Sequence, residues 1–216
     1  MGLDLSGGTG DRLPHSRILV WCADVPWRIG GLDLWRRALY SACRAGFERL
    51  LIVAPTAAAT IRGALIGDPR LESRQWEVVG PDQWLDRVRR DDGRWVVLPD
   101  RWIVDAKYLR ELAAARGDPA AVAPDGPFSA DAGTLAALGA DGWTPEGRGP
   151  RVRQTLAEPA LYERVASAAD AARAEDALFR SLGRNAGNAF AHYVDRAMSR
   201  AICPAQASRR QCRRSQ

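Results

Sequence analysis

Lysine is almost missing from this chain: of 31 basic residues only Lys107 is a lysine, and the rest are arginines. Histidine is nearly as scarce, and His15 and His192 stand far apart, so neither belongs to a local metal or triad motif. The four cysteines, Cys22, Cys43, Cys203 and Cys212, include no C-x-x-C pair, which argues against a zinc site, and the cytoplasmic default argues against a disulfide framework. No apolar run approaches the ~20 residues that span a bilayer, and no charged-then-apolar signal opens the chain. What remains is the composition of an ordinary folded domain, 46% hydrophobic and 26% charged over 216 residues. The expectation is a cytoplasmic globular protein, of one good-sized domain or one domain with an appendage.

The formal net charge of +5 is local. Arg200, Arg209, Arg210, Arg213 and Arg214 lie in a C-terminal stretch without a single acid, and they account for the whole excess. The body ahead of them is balanced, which argues against nucleic acid as a partner. The tail reads as a solvated disordered end; the alternative is contact with an anionic membrane surface, at its inner face.

What is present is alternation. Ile18–Ala23 (ILVWCA) and Leu50–Ala54 (LLIVA) are short continuous apolar runs, the pattern of strands buried on both faces. Between them Asp33 can cap a helix carrying Leu34, Ala38, Leu39, Ala42 and Cys43, and Gly46 can stop it. A helix over 57–66 follows, then a strand at 76–79, a short helix over 82–90 with Trp84, Leu85 and Val88 on one side, and a strand at 95–98. A helix over 105–116 turns Tyr108, Leu109 and Leu112 inward, and a weaker strand covers 120–123. Strands separated by helices imply parallel pairing through right-handed crossovers, with ligands at the carboxyl ends of the strands. After Pro127 the register loosens. Gly and Pro crowd 139–150, short strand-like pieces follow at 152–156 and 161–165, a helix over 168–182 closes the globular part, and 188–202 is an amphipathic segment.

Three stretches carry a family resemblance. GGLDLWRRALYSACRAGFERLLIVAP (30–55) and WVVLPDRWIVDAKYLREL (95–112) are similar to segments of nucleotidyltransferase-type GT-A domains. YERVASAADAARAEDALFRSLGRNAGNAFAHYVDRAMSRAI (162–202) resembles the junction where such a domain, in bacterial two-part enzymes, leads into a membrane CDP-alcohol phosphotransferase. The resemblance implies an α/β fold: a Rossmann-like GT-A three-layer sandwich with a mostly parallel central sheet, plus C-terminal helices. It divides the chain into a flexible leader (1–17), a nucleotidyltransferase-like domain (18–183), a junction segment (184–202) and a basic tail (203–216). It also implies CTP or another nucleotide as ligand, Mg²⁺ as metal, a membrane CDP-alcohol phosphotransferase as partner, and phospholipid or polyol-phosphate synthesis as setting. The paired-aspartate string of the phosphotransferase half is absent from these 216 residues.

Nucleotidyl transfer builds charge on phosphate oxygens, so its site needs glycine amides, cations and a metal. LSGGTGDRLP (5–14) offers Gly7, Gly8, Gly10 and Arg12, but only MGLD precedes it, too little for the buried strand a phosphate loop follows. It reads as a leader or as a relocated signature. The loop after the first strong strand is Asp24–Gly31, where Pro26 lacks an N–H and Trp27 is bulky. Arg28, Gly30 and Gly31 are its candidates for holding phosphates. Lys107 is remote, so Arg28 would supply charge, or Arg12 or Arg17 if the leader folds over the site. Asp100 ends the fourth strand, where a metal ligand belongs; the resemblance puts a second aspartate at position 166, which is Ala166 here. Loop, lysine and second aspartate all depart from the pattern. The leading expectation is a degenerate, non-catalytic nucleotidyltransferase-like domain, structural or ligand-sensing. The alternatives are an active cytidylyltransferase on a sugar or polyol phosphate, and a peripheral membrane or partner-docking module.

Overall fold

The computed structural model describes residues 17–22, 27–123, 125–144, 151–159 and 161–185. The chain divides into two units, Met1–Glu175 and Asp176–Gln216. In the first, the apolar runs become strands: β1 (Arg17–Trp21), then the two-residue strands β2 (Arg28–Ile29) and β3 (Leu32–Asp33), and β4 (Arg49–Val53) after helix α1 (Leu34–Ala45). Helix α2 (Ala58–Leu65) leads to β5 (Gln75–Val79), and α3 (Trp84–Arg89) leads to β6 (Arg94–Pro99). Then come β7 (Trp102–Val104), α4 (Ala106–Ala114), β8 (Ala120–Ala121), β9 (Phe128–Asp131), α5 (Ala132–Ala140), β10 (Gln154–Thr155) and β11 (Tyr162–Arg164). Helix α6 (Ala168–Asn185) begins in the first unit and ends in the second.

Seven strands form one sheet in the order β10-β8-β9-β6-β1-β4-β5. β6, β1, β4 and β5 are mutually parallel. β9 runs antiparallel between β6 and β8, so the sheet is mostly parallel, as expected. Side chains alternate between two apolar layers. Ile18, Val20, Leu50, Ile52, Val96 and Leu98 pack with α1, α2 and α4; Leu19, Trp21, Leu51, Val53, Trp95 and Val97 pack with α3 and α5. Helices therefore cover both faces, making three layers. Continuous apolar runs suit strands buried on both sides, which is why the sequence shows them.

Two caps illustrate the local chemistry. Asp105 caps α4, its carboxylate accepting from the Tyr108 N–H at 2.7 Å. Asp33 holds the N-cap position of α1 but makes no capping bond; its carboxylate instead pairs with Arg28 at 2.9 Å. Gly46 ends α1 at φ 95°, a left-handed conformation that favours glycine.

Candidate nucleotide site at the strand tips

The chain leaves β1 in one direction, through α1 and α2 on one face to β4 and β5. It then crosses by α3 on the other face to β6, on β1's other side. The order reverses between β1 and β6, and in such sheets the crevice outside those two carboxyl ends is the binding position. The tips are held in line. The Asp100 N–H donates to the Trp21 carbonyl (2.9 Å), Cys22 N–H to Val53 (2.8 Å) and Ala54 N–H to Val79 (2.9 Å).

Asp100 stands at this switch point and is 1% exposed. Its neighbour Cys22 is also buried; burial first, and the Asp100 carboxylate second, push the Cys22 thiol well above its ordinary value. On the α3 side, Trp21 meets Trp84 and Trp143 edge-on, with ring centroids 6.1 and 6.4 Å away, and Trp84 and Trp143 are 6.4 Å apart. The end of β1 thus supplies one of three mutually packed indoles.

The other candidates fall differently. Arg28, Gly30, Gly31 and Asp33 belong to the β2–β3 hairpin, whose turn carries Gly30 at φ 53° and Gly31 at φ 74°. Two successive positive φ angles define a type I′ hairpin turn, for which Gly-Gly is suited. Three of the hairpin's polar groups have partners within the first unit. Arg28 pairs with Asp33, the Arg37 Nε–H donates to the Ile29 carbonyl, and the Gly30 N–H donates to Glu175 Oε1 at 2.6 Å. A carboxylate therefore lies on the amide proposed for a phosphate. Gly7, Gly8, Gly10 and Arg12 lie outside the described residues, as do His15, Asp24–Pro26, His192, Cys203, Cys212 and the segments 188–202 and 203–216. Arg17 begins β1 at the far end from the tips, roughly 13 Å away at ~3.3 Å per residue, and pairs with Asp91; its assignment to the tip site is corrected.

A metal that bridges a triphosphate needs carboxylates converging on it. After the parallel strands the described tips offer Asp100 beyond β6 and Asp82 beyond β5. Three strand spacings separate β6 from β5, about 14 Å, too far to share an ion. No group of three or more His, Cys, Asp or Glu able to hold a metal occurs among the described residues. The described residues do not fit a two-carboxylate magnesium centre. Sequence reasoning missed Glu175, which reaches Gly30 across 145 positions, and the three-indole cluster, whose members lie on three separate segments.

No protein-family model and no curated protein matches the chain. Solved structures do. Rv0371C of Mycobacterium tuberculosis, determined in complex with manganese, is 22% identical, with a TM-score of 0.51 over 74% of this chain and 97% of that one. A nucleotidyl transferase from a Methanothermobacter, Mth528, is 15% identical at TM-score 0.51, covering 77% of this chain and 99% of its own. A putative glucose-1-phosphate thymidylyltransferase from Bacillus anthracis, solved with a sucrose, is 10% identical at TM-score 0.54, covering 74% and 94%. At these identities the likeness is one of architecture, and the architecture is nucleotidyltransferase-like.

Proposed function

We propose that this chain is a nucleotidyltransferase-fold domain that does not turn over nucleotide, a structural or ligand-sensing module associated with CDP-alcohol phosphotransferase chemistry. The observation that carries the reading is the Gly30 amide, which already donates to the Glu175 carboxylate at 2.6 Å. An incoming phosphate would meet a negative group in its place. Burial of Asp100 at 1% exposure points the same way, because a carboxylate that binds a hydrated, phosphate-bridged ion needs access to both. The sequence between 162 and 202 supports the phosphotransferase association by its resemblance to a junction segment. No described helix is long and apolar enough to cross a membrane.

A second reading has one observation in its favour. Asp100 occupies the switch point itself, bonded through its N–H to the tip of β1, where an active cytidylyltransferase would keep a metal ligand. Calorimetric titration of the full chain with CTP, with and without Mg²⁺, separates the two. The proposal expects weak binding that magnesium does not strengthen. Tight, magnesium-dependent binding accompanied by pyrophosphate release would establish the second.

A further inference from the structure

The opposite edge of the same sheet carries a charge pattern that the packing does not explain. Arg17, Arg49 and Gln75 are register partners across β1, β4 and β5, and Trp95 is Arg17's partner on β6. Side-chain alternation sets these positions on the face that α3 covers, below Leu19, Leu51 and Val97. Two arginines directly opposite each other on one face repel. Asp91 offsets part of this, pairing with Arg17 at 3.3 Å and with Arg49 at 2.7 Å. The end of α3 adds Arg87, paired with Glu77 at 2.8 Å, and Arg90, which has no ion pair among the described residues. Four guanidinium groups therefore face two carboxylates.

Three of these arginines, Arg49, Arg87 and Arg90, line a cavity of about 320 Å³ together with Glu77, Asp91 and Trp95. That volume is at the small end of metabolite sites, ~300–1,000 Å³. The Arg17 guanidinium lies against Gly93, where a Cβ would come within 2.2 Å of its Nη1, so the backbone is shaped around this arginine.

We propose that this cavity at the amino edge of the sheet binds the phosphoryl group of a small phosphorylated molecule, with Arg49 and Arg90 holding its oxygens. Planar guanidinium forks match a phosphate's oxygens, and the local excess of positive charge selects an anion over a neutral ligand. The site is separate from the strand tips, roughly 13 Å away along β1, so it stands whether or not the tips bind nucleotide.

The test is calorimetric titration of the full chain with inorganic phosphate, in wild type and in Arg90→Gln, Arg49→Gln and Asp100→Asn. Thermal melts confirm that each variant folds; Arg90 is exposed, and its replacement leaves the core untouched. The expected result is saturable phosphate binding, weakened about tenfold or more by Arg90→Gln and by Arg49→Gln, and unchanged in Asp100→Asn. No saturable binding at millimolar phosphate would overturn the proposal. So would binding that Arg90→Gln and Arg49→Gln both leave intact, which would locate the phosphate elsewhere.

Discussion

The two ends of the same four parallel strands are built on opposite principles. At the carboxyl ends, where this topology opens its crevice, apolar bulk has come in: Trp21 sits among indoles, Asp100 is buried, and the nearby glycine turn has a carboxylate on its amide. At the amino ends, arginines gather around free volume and only part of their charge is matched. Architecture alone would assign binding to the first end; charge and space favour the second. Fold and activity are separable, and here the side chains at each end decide what that end can do.

Five substitutions or titrations sharpen the contrast. The largest effect is expected from Trp84→Ala at the packed end. It removes a buried ring from two indole contacts and should cost about 3–5 kcal/mol in denaturant unfolding. A loss below about 1 kcal/mol would mean the cluster is loose, and the tips more open than described. At the charged end, Asp91→Asn takes the shared counter-ion from Arg17 and Arg49, whose side chains are 13% and 45% exposed. Stability should fall by about 2 kcal/mol, less than the ~3–5 of a fully buried pair, while phosphate binding tightens. Weaker phosphate binding in that variant would show that Asp91 orients the arginines more than it neutralises them.

The third check is pH. Burial raises the Cys22 and Cys43 thiols above the ordinary 9.0, and raises the Tyr108 hydroxyl from 10.0 to about 12. Above pH ~9 the unfolded chain releases these protons first, so the folded state binds more of them and loses relative stability as pH rises. Melting temperatures should be flat through neutral pH in this respect and decline above about 9, with Tyr108 adding to the slope above about 10. Because burial is the larger cause at Cys22, Asp100→Asn should leave that thiol slow toward alkylating reagents at pH 8; fast labelling would show an open tip. The smallest effect is expected from Gly31→Ala. Its φ of 74° strains any side chain although no atom crowds the position, so about 1 kcal/mol should be lost.

Much of this fold was legible where burial wrote itself into composition. β1, β4 and β6 are unbroken apolar runs, and α1 and α4 repeat apolar residues at helical spacing with Gly46 and Asp105 marking ends. β9 and α5 were not legible, for physical reasons. Ser129 breaks the strand's apolar run; it is wholly buried because Arg94 donates to its hydroxyl at 3.0 Å. Asp131 ends β9 and caps α5 in the same residue, leaving no loop to signal a boundary. Helix α5 buries only Leu135, so its periodicity is faint. The tip candidate Asp100 was legible from its place after a strand, but its burial was not. The amino-edge site was illegible because Arg17 and Arg49 each read as polar lead-ins to a strand. Only the register shows that they stand side by side.

The central claim, that the strand tips do not support nucleotidyl transfer, is tested most directly by ³¹P NMR. The full chain would be incubated with CTP, Mg²⁺ and a panel of sugar and polyol phosphates. The account predicts that the triphosphate resonances persist and no pyrophosphate appears. Pyrophosphate growing in step with a CDP-linked product, and lost in Asp100→Ala, would contradict it.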